Sequence, residues 1–310
     1  MTINKHYVEA KSKLRTGRVP DTFFTTKYGF SPYRACAHAC AYCDGRAEKY
    51  YVEGDFETDI IIRENMPLLL AQQLPKLREP GPISISSGVS DPYQPVEEEE
   101  CLMRSCAEVL AQHSHGAHLM TKSALALRDI DLWEKVHLKG GFTLMVSLVF
   151  LDDKNREIFE PGAATVEERL DLLAQYSSRG MDVAVAAMPF LPFINDSPEH
   201  LEKLFTRLEA IGVSHIIPGE LTLRPGRQKA HFFEKIRDNY PKLLKDYERL
   251  FGEERPSGVS LKEYHRPFRR LIEKTLLRNK IPMASPHRVY QQRFALYDEV
   301  YILLSHMQQL

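Results

Sequence analysis

The sequence lacks the features that mark membrane and secreted proteins. Its 310 residues contain no apolar run of about 18 residues, the length that a membrane-spanning helix needs. The opening residues, MTINKHYVEAKSKLRTGR, include no apolar stretch of the kind found in signal peptides. We therefore expect a cytoplasmic protein with no membrane partner.

Cysteine is scarce and odd in number, which argues against a disulfide framework. Of the five cysteines, Cys36, Cys40 and Cys43 fall within eight residues, whereas Cys101 and Cys106 stand apart. Disulfide-stabilised domains usually carry an even number of cysteines at spread-out positions. The compact group of three instead predicts a metal site.

The net charge of -1 hides a segregation of charge along the chain. Residues 1–30 carry six Lys and Arg against two acidic residues, and residues 255–293 carry ten against two. The body between them is therefore acidic. Two interpretations stay open: an anionic partner such as nucleic acid, or the solvated faces of surface helices.

The chain has no internal repeat and no low-complexity tract, but from residue 83 short apolar segments alternate with amphipathic ones. We predict strands at Ile83–Ser87, Ala117–Lys122, Phe142–Phe150, Asp182–Met188 and Val213–Gly219. We predict helices at Val96–His113, Leu127–His137, Val166–Ser178 and Pro198–Ile211. This alternation is typical of βα units and a parallel sheet.

An earlier strand at Tyr28–Arg34 and a helix at Arg63–Leu77 bring the number of units to six, too few for a closed eight-stranded barrel. The sequence thus predicts an α/β protein with a partial (β/α)6 TIM-like barrel. After about residue 225 the sequence is mostly helical and basic. We predict a basic N-terminal segment (1–27), the barrel (28–235) and a helical, basic C-terminal extension (236–310).

The strongest chemical signal is the loop Cys36-Ala-His-Ala-Cys40-Ala-Tyr-Cys43, which follows the first predicted strand of the barrel. Three thiolates can ligate three irons of a 4Fe-4S cluster and leave the fourth iron open for a ligand. Two alternatives are weaker. A zinc site would need His38 as its fourth ligand, although zinc ligands usually come in separated pairs, and a redox pair would not need Cys36. We place His38 as a loop residue near the cluster.

Several motifs, taken together, resemble one known family. SPYRACAHACAYCDGR, ISISSGVSDPYQPVE, LMTKS, FEPGAATVEERL and PFLPFINDS resemble the radical S-adenosylmethionine (SAM) superfamily and, within it, the spore photoproduct lyase-like branch, which is related to DNA repair photolyases. The resemblance covers roughly residues 28–235.

The resemblance implies a radical SAM enzyme with a 4Fe-4S cluster and SAM as cofactors. Such enzymes reductively cleave SAM to a 5'-deoxyadenosyl radical, which abstracts a hydrogen atom from the substrate. The resemblance also implies a reducing electron donor of the flavodoxin or ferredoxin type. The branch suggests DNA or a nucleotide as substrate, with a peptide or small metabolite as the alternative. A non-catalytic metal-binding module is the alternative from another class.

Carried over residue by residue, the resemblance assigns Cys36, Cys40 and Cys43 as cluster ligands. It places Tyr42 near the adenine of SAM. Lys122, at the end of the third strand, matches the lysine that contacts the SAM carboxylate.

Three further residues complete the implied SAM site. Ser147 matches a serine that hydrogen-bonds the same carboxylate, and Ser87 and Asp91 occupy the turn that binds the SAM amino group in many members. The period of two along a strand also puts Ser147 on one face with Thr143 and Met145. Packing for Ser147 and a helix N-cap for Asp91 are the alternatives.

The chain departs from the lyase at two positions. No cysteine stands at Ile85–Gly88, where the lyase returns a hydrogen atom to its substrate, and a serine O–H bond is too strong to replace one. Asp44 stands where the lyase has a second tyrosine. The sequence therefore leaves the hydrogen-donating catalytic residue unknown. The basic segment 255–293, interleaved with Tyr264, Phe268 and Tyr290, would suit a nucleic-acid backbone.

Overall fold

Ten strands form two sheets in the computed structural model, which describes residues 2–11, 14–85 and 88–308. The strands are β1 (Asn4–Val8), β2 (Arg15–Asp21), β3 (Thr26–Phe30), β4 (Tyr33–Arg34), β5 (Asp59–Arg63), β6 (Ile83–Ile85), β7 (Ala117–Thr121), β8 (Phe142–Ser147), β9 (Asp182–Phe190) and β10 (His215–Glu220).

Twelve α-helices lie in the same ranges. They are α1 (Met66–Gln73), α2 (Glu97–Glu100), α3 (Leu102–Leu110), α4 (Ile130–Gly140), α5 (Asp153–Phe159), α6 (Val166–Ser178), α7 (Pro198–Ile211), α8 (Arg227–Asn239), α9 (Leu244–Phe251), α10 (Lys262–Arg278), α11 (His287–Tyr290) and α12 (Leu296–Met307). None of the helices in these described ranges has the length and apolarity needed to cross a membrane.

The larger sheet confirms the predicted partial barrel. Its strands lie in the order β10-β9-β8-β7-β6-β3-β2, and the six from β3 to β10 run parallel to one another. Only β2 at the edge is antiparallel. The sheet curls into a half-barrel that is open along one side. Because the strands are parallel, their carboxyl ends meet at one mouth.

Strand β8 shows how the sequence builds the two layers. All six of its residues are buried, as expected for a parallel strand covered on both faces. Phe142 faces the outer helices and stacks on Trp133 at 4.9 Å between ring centroids. Met145 faces the lumen and packs with Ala184 and Ala186 of β9. The period of two puts Ser147 on the lumen side at the mouth.

Two predicted elements are split in the structure. The strand predicted at Tyr28–Arg34 becomes β3 and β4, which belong to different sheets and are separated by Ser31 and Pro32. The helix predicted at Val96–His113 breaks at Cys101, whose φ is 49°. The buried Glu97 carboxylate stabilises this break by accepting the Met103 N–H at 2.9 Å.

The N-terminal residues take part in both sheets. Strand β1 pairs in parallel with β5 in the small sheet β1-β5-β4, and β2 pairs with β3 at the edge of the half-barrel. Their Lys and Arg side chains therefore stand on ordered strands instead of on a free tail.

The last part of the chain, from α11 to α12, packs against the half-barrel near the amino ends of its strands. Lys27 at the start of β3 pairs with Asp298 of α12 at 2.7 Å, and both side chains are almost fully buried. Asp182 at the start of β9 accepts hydrogen bonds from Arg288 and Arg293. His306 lies 2.7 Å from the Thr22 carbonyl oxygen. These contacts attach the end of the basic segment and helix α12 to the amino-terminal end of the barrel.

Candidate active site

The three clustered cysteines lie on a loop that runs from β4 to a short 3-10 helix at Asp44–Arg46. Cys36 and Cys40 are buried, Cys43 is partly buried, and none is in a disulfide. Ala35 and Ala39 have φ values of 64° and 55°, a left-handed conformation that side chains rarely adopt. These two left-handed residues turn the chain tightly, and the small alanine side chain limits the steric cost of each turn.

His38 connects this loop to two other elements. Its Nδ1 lies 2.7 Å from the Gly162 carbonyl oxygen, and its Nε2 lies 3.3 Å from Asp91 Oδ2. Gly162 donates its N–H back to the His38 carbonyl oxygen at 3.0 Å. A Cβ at Gly162 would lie 2.4 Å from the Ala37 carbonyl oxygen, so this close approach requires glycine.

The donor set suits an iron–sulfur cluster. Burial raises the pKa of the Cys36 and Cys43 thiols, and it raises that of Cys40 to about 12. Three desolvated thiols become stable as thiolates only beside a strong positive charge such as iron. In the described ranges no three His, Cys, Asp or Glu side chains converge on a single ion. A cubane does not require that convergence, because each thiolate binds a different iron.

Lys122, Ser147 and Tyr42 meet at the mouth of the half-barrel, close to the cysteine loop. The Lys122 ammonium donates to Ser147 Oγ at 2.6 Å and to Tyr42 Oη at 3.1 Å. It also lies 5.5 Å from the centroid of the Tyr42 ring, within cation–π range. The structure thus brings together three residues that lie far apart in sequence.

Two residues that sequence reasoning did not select, Glu160 and Arg169, complete this network. Glu160 is fully buried and lies 3.0 Å from Lys122 Nζ and 2.7 Å from Arg169 Nη2. It also accepts a hydrogen bond from the Tyr42 hydroxyl group. Arg169 donates to the Ser147 carbonyl oxygen at 2.9 Å. We call these five residues, Tyr42, Lys122, Ser147, Glu160 and Arg169, the mouth network.

The charges of the mouth network do not cancel. Burial by itself would raise the pKa of Glu160, but Arg169 and Lys122 outweigh that effect and lower it to about 2. Glu160 is therefore a carboxylate at neutral pH, placed between two cations. One positive charge remains in excess, and Lys122 is the partly accessible member that carries it, with 14% of its side chain exposed.

Asp91 holds the turn after β6 to the next strand and to the cysteine loop. Its carboxylate accepts hydrogen bonds from Thr121 Oγ1 at 2.7 Å, from the Lys122 N–H at 2.8 Å and from the Tyr93 N–H at 2.8 Å. Burial opposes its ionisation, but His38 and these donors lower its pKa. Ser87, predicted beside it, lies outside the described residues.

The comparisons with known proteins decide the family. Residues 30–208, more than half of the chain, match the family model of the radical SAM superfamily. The chain belongs to the radical SAM superfamily. Membership implies a radical SAM enzyme that uses SAM and an iron–sulfur cluster, as the cysteine loop and its neighbours predict from sequence.

Relatives and solved structures agree with this membership. The chain is 30% identical over 257 residues to the uncharacterized protein Rv2578c of Mycobacterium tuberculosis, covering 80% of this chain and 74% of that protein. It is 27% identical over 237 residues to the uncharacterized protein MJ0683 of Methanocaldococcus jannaschii, covering 76% and 83%.

Spore photoproduct lyase complexed with dinucleoside spore photoproduct is similar to this chain with a TM-score of 0.62 and 13% sequence identity. The match covers 88% of this chain and 79% of the lyase. At that identity the likeness shows a shared fold, and it confirms the partial barrel predicted from sequence.

The predicted site residues that the structure describes lie together at the mouth of the half-barrel. The cysteine loop, Tyr42, Lys122 and Ser147 are linked there, and Asp91 binds the backbone of Lys122. Glu160 and Arg169 were visible in the motif FEPGAATVEERL, but nothing in the motif showed that their charges meet those of Lys122. The sequence signal for this pair was an acidic and a basic residue nine positions apart, the first before the start of α6 and the second within it.

Proposed function

We propose that this chain holds a 4Fe-4S cluster through Cys36, Cys40 and Cys43 and reductively cleaves SAM. The observation that carries the proposal is the juxtaposition of three unbridged thiols, two buried and one partly buried, with the mouth network and its single excess positive charge. When bound, the cluster supplies the electron that splits SAM into methionine and a 5'-deoxyadenosyl radical, which abstracts a hydrogen atom from the substrate.

The chain's own residues bind and orient SAM in this proposal. Lys122 and Ser147 hold its carboxylate, because an ammonium backed by a hydroxyl matches a carboxylate in charge and in hydrogen bonding. Tyr42 packs against the adenine. Asp91, together with Ser87, receives the amino group. Support comes from the distances among Tyr42, Lys122 and Ser147 and from the burial of Asp91.

The substrate we propose is a nucleic acid or nucleotide, processed by a spore photoproduct lyase-like reaction. The cations that stand exposed on helix α10 support it: Arg266, Arg269, Arg270, Lys274 and Arg278. Such a row suits the phosphates of a nucleic-acid backbone. We further propose a reducing donor of the flavodoxin or ferredoxin type, which the one-electron cleavage of SAM requires.

Anaerobic reconstitution with iron and sulfide tests the cofactor assignment. We expect about four irons per chain and a broad absorbance shoulder in the visible range. Cys40→Ala should lose this absorbance, because one ligand of the cluster is missing. Cys101→Ala serves as the matched control, since Cys101 lies outside the loop beside Arg128, and it should keep the full iron content. Purification with stoichiometric zinc and no uptake of iron would overturn the proposal.

A further inference from the structure

A cavity of about 890 Å³ follows the edge strand β10 on the open side of the half-barrel. Its walls are mainly apolar side chains, among them Phe23, Ile272, Met283, Tyr290 and Leu303. This volume lies within the range of about 300–1,000 Å³ that is typical of ligand sites. The cavity is formed jointly by the sheet edge, helix α10 and the segment that leads into α11.

Glu220, the last residue of β10, gives the cavity a carboxyl group with one oxygen that lacks a hydrogen-bond partner in the described part of the chain. Its Oε2 atom is buried and makes no hydrogen bond to any of the described residues. His265 of α10 is the neighbouring ionisable group, with its Nδ1 3.7 Å from that oxygen, which is beyond hydrogen-bond distance. Native proteins rarely leave a buried carboxyl oxygen without a partner. Glu220 Oε2 can therefore accept a hydrogen bond from a ligand.

The position of Glu220 connects the cavity to the proposed radical chemistry. It ends a parallel strand, so it lies at the same carboxyl edge of the sheet as Lys122 and Ser147. The preceding residue, Gly219, packs against Met188, whose side chain faces the lumen. A Cβ atom at position 219 would lie only 2.8 Å from the Met188 Cβ. One end of the cavity thus borders the lumen, next to the mouth.

The rim of the cavity carries charges of both signs, and further cations stand on the exposed face of α10 beside it. Arg269 lines it from α10, and 69% of its side chain is exposed in a surface ion pair with Glu273. Arg266 and Arg270 stand exposed on the same helix. A ligand with an anionic outer part and a flat, mostly apolar inner part would complement both the cations of α10 and the interior of the cavity.

We propose that this cavity takes one base of a single-stranded nucleic acid, and that Glu220 reads the N–H donors of the base. The sugar-phosphate backbone lies along the exposed arginines of α10. A carboxylate oxygen accepts a hydrogen bond from the N4 amino group of cytosine, whereas it meets an acceptor at O4 of thymine. This inference rests on the proposed nucleic-acid substrate.

Binding of labelled single-stranded oligo(dC) and oligo(dT) tests the inference, with the cluster reconstituted and SAM present. We expect the wild-type protein to prefer oligo(dC) by about tenfold, a typical discrimination for one good base contact. Glu220→Leu should bind both within about twofold of each other, because it keeps the approximate volume and removes the acceptor. Because Glu220 Oε2 has no hydrogen-bond partner among the described residues, this variant should retain iron and SAM binding.

Glu263→Leu is the matched control, since it removes the same charge from an exposed position of α10 outside the cavity. It should keep the preference. Equal binding of the two oligonucleotides by wild type, or a preference that survives in Glu220→Leu, would overturn the role of the cavity and leave a nucleic-acid substrate standing. Absence of oligonucleotide binding at low salt would overturn the nucleic-acid substrate itself, and the base-reading role with it.

Discussion

Replacing Glu160 by glutamine should strongly lower the free energy of unfolding, although the two side chains have nearly the same size and shape. Glu160 is fully buried, and its two oxygens face Lys122 Nζ at 3.0 Å and Arg169 Nη2 at 2.7 Å. Glutamine fills the same volume but carries no charge. Glu160→Gln therefore leaves the fully buried Arg169 and the mostly buried Lys122 without their shared anion.

The size of the effect follows from this burial. Removing one partner of a buried ion pair typically costs about 3–5 kcal/mol, because the remaining charge stays desolvated and unpaired. For a chain of 310 residues, an unfolding entropy of about 2.1 cal/mol/K per residue converts this loss into a fall of about 5–8 °C in the unfolding midpoint. The double variant Glu160→Gln/Arg169→Gln restores the original excess of one positive charge. Its midpoint should therefore lie above the value that adding the two single effects would give.

Thermal unfolding of the reconstituted protein, followed by circular dichroism and by cluster absorbance, measures this effect. Glu157→Gln is the matched control, because 68% of the Glu157 side chain is exposed and its partner Arg156 keeps a second carboxylate, Asp153, at 2.9 Å. A solvent-exposed carboxylate of this kind contributes at most about 1 kcal/mol, so this midpoint should move by about 2 °C or less. Similar midpoints for Glu160→Gln and Glu157→Gln would refute the charge balance that we assign to the mouth network.

Three further predictions follow from other contacts. Lys122→Met should weaken SAM binding, measured by equilibrium dialysis, by about tenfold or more, because a charge-assisted hydrogen bond is lost; the exposed Lys154→Met should not, and equal affinities in the two variants would contradict the assignment. Lys27→Met should lower the free energy of unfolding by about 3–5 kcal/mol and speed proteolysis of α12, because Asp298 stays buried without its partner. The double variant Lys27→Met/Asp298→Leu should recover part of the loss. An unchanged free energy of unfolding in Lys27→Met would disprove the importance of the pair. Burial lowers the pKa of His118 to about 4, so the unfolded chain binds more protons than the folded one between pH 6.5 and 4. The free energy of unfolding should therefore fall by about 2 kcal/mol more from pH 7 to pH 5 in wild type than in His118→Gln, as denaturant titrations can show; parallel pH curves would rule this out.

The parallel βα framework could be predicted from the sequence because its signals are local. The observed helix Val166–Ser178 matches its predicted bounds because Thr165 and Glu168 form a capping box at its start. The helix Pro198–Ile211 also matches, since Ser197 caps its start and Gly212 ends it in a left-handed conformation.

The remaining features depend on contacts between distant parts of the chain. Cys101 looks like any helical residue in the sequence, yet the buried Glu97 carboxylate makes a break there favourable. The attachment of α12 to the barrel depends on Lys27 and Asp298, which are 271 residues apart. No local pattern announces such a pair.

The candidate site likewise combines residues that a local motif predicts with residues that only the fold brings together. The three cysteines form a compact motif, so a metal site there could be predicted directly from the sequence. Lys122 and Ser147 were predicted through the resemblance, which matches them to SAM-binding positions near the ends of two neighbouring strands. The pairing of Glu160 with Arg169 became visible only when the fold brought both beside Lys122.

The most direct test of the central claim is the production of 5'-deoxyadenosine by the reconstituted protein. The protein is incubated anaerobically with SAM and dithionite, and the products are separated by liquid chromatography. We expect 5'-deoxyadenosine and methionine from wild type and from Cys101→Ala, and neither above background from Cys40→Ala. Formation of 5'-deoxyadenosine by Cys40→Ala at the wild-type rate, or its absence from wild-type protein that carries about four irons per chain, would contradict the account.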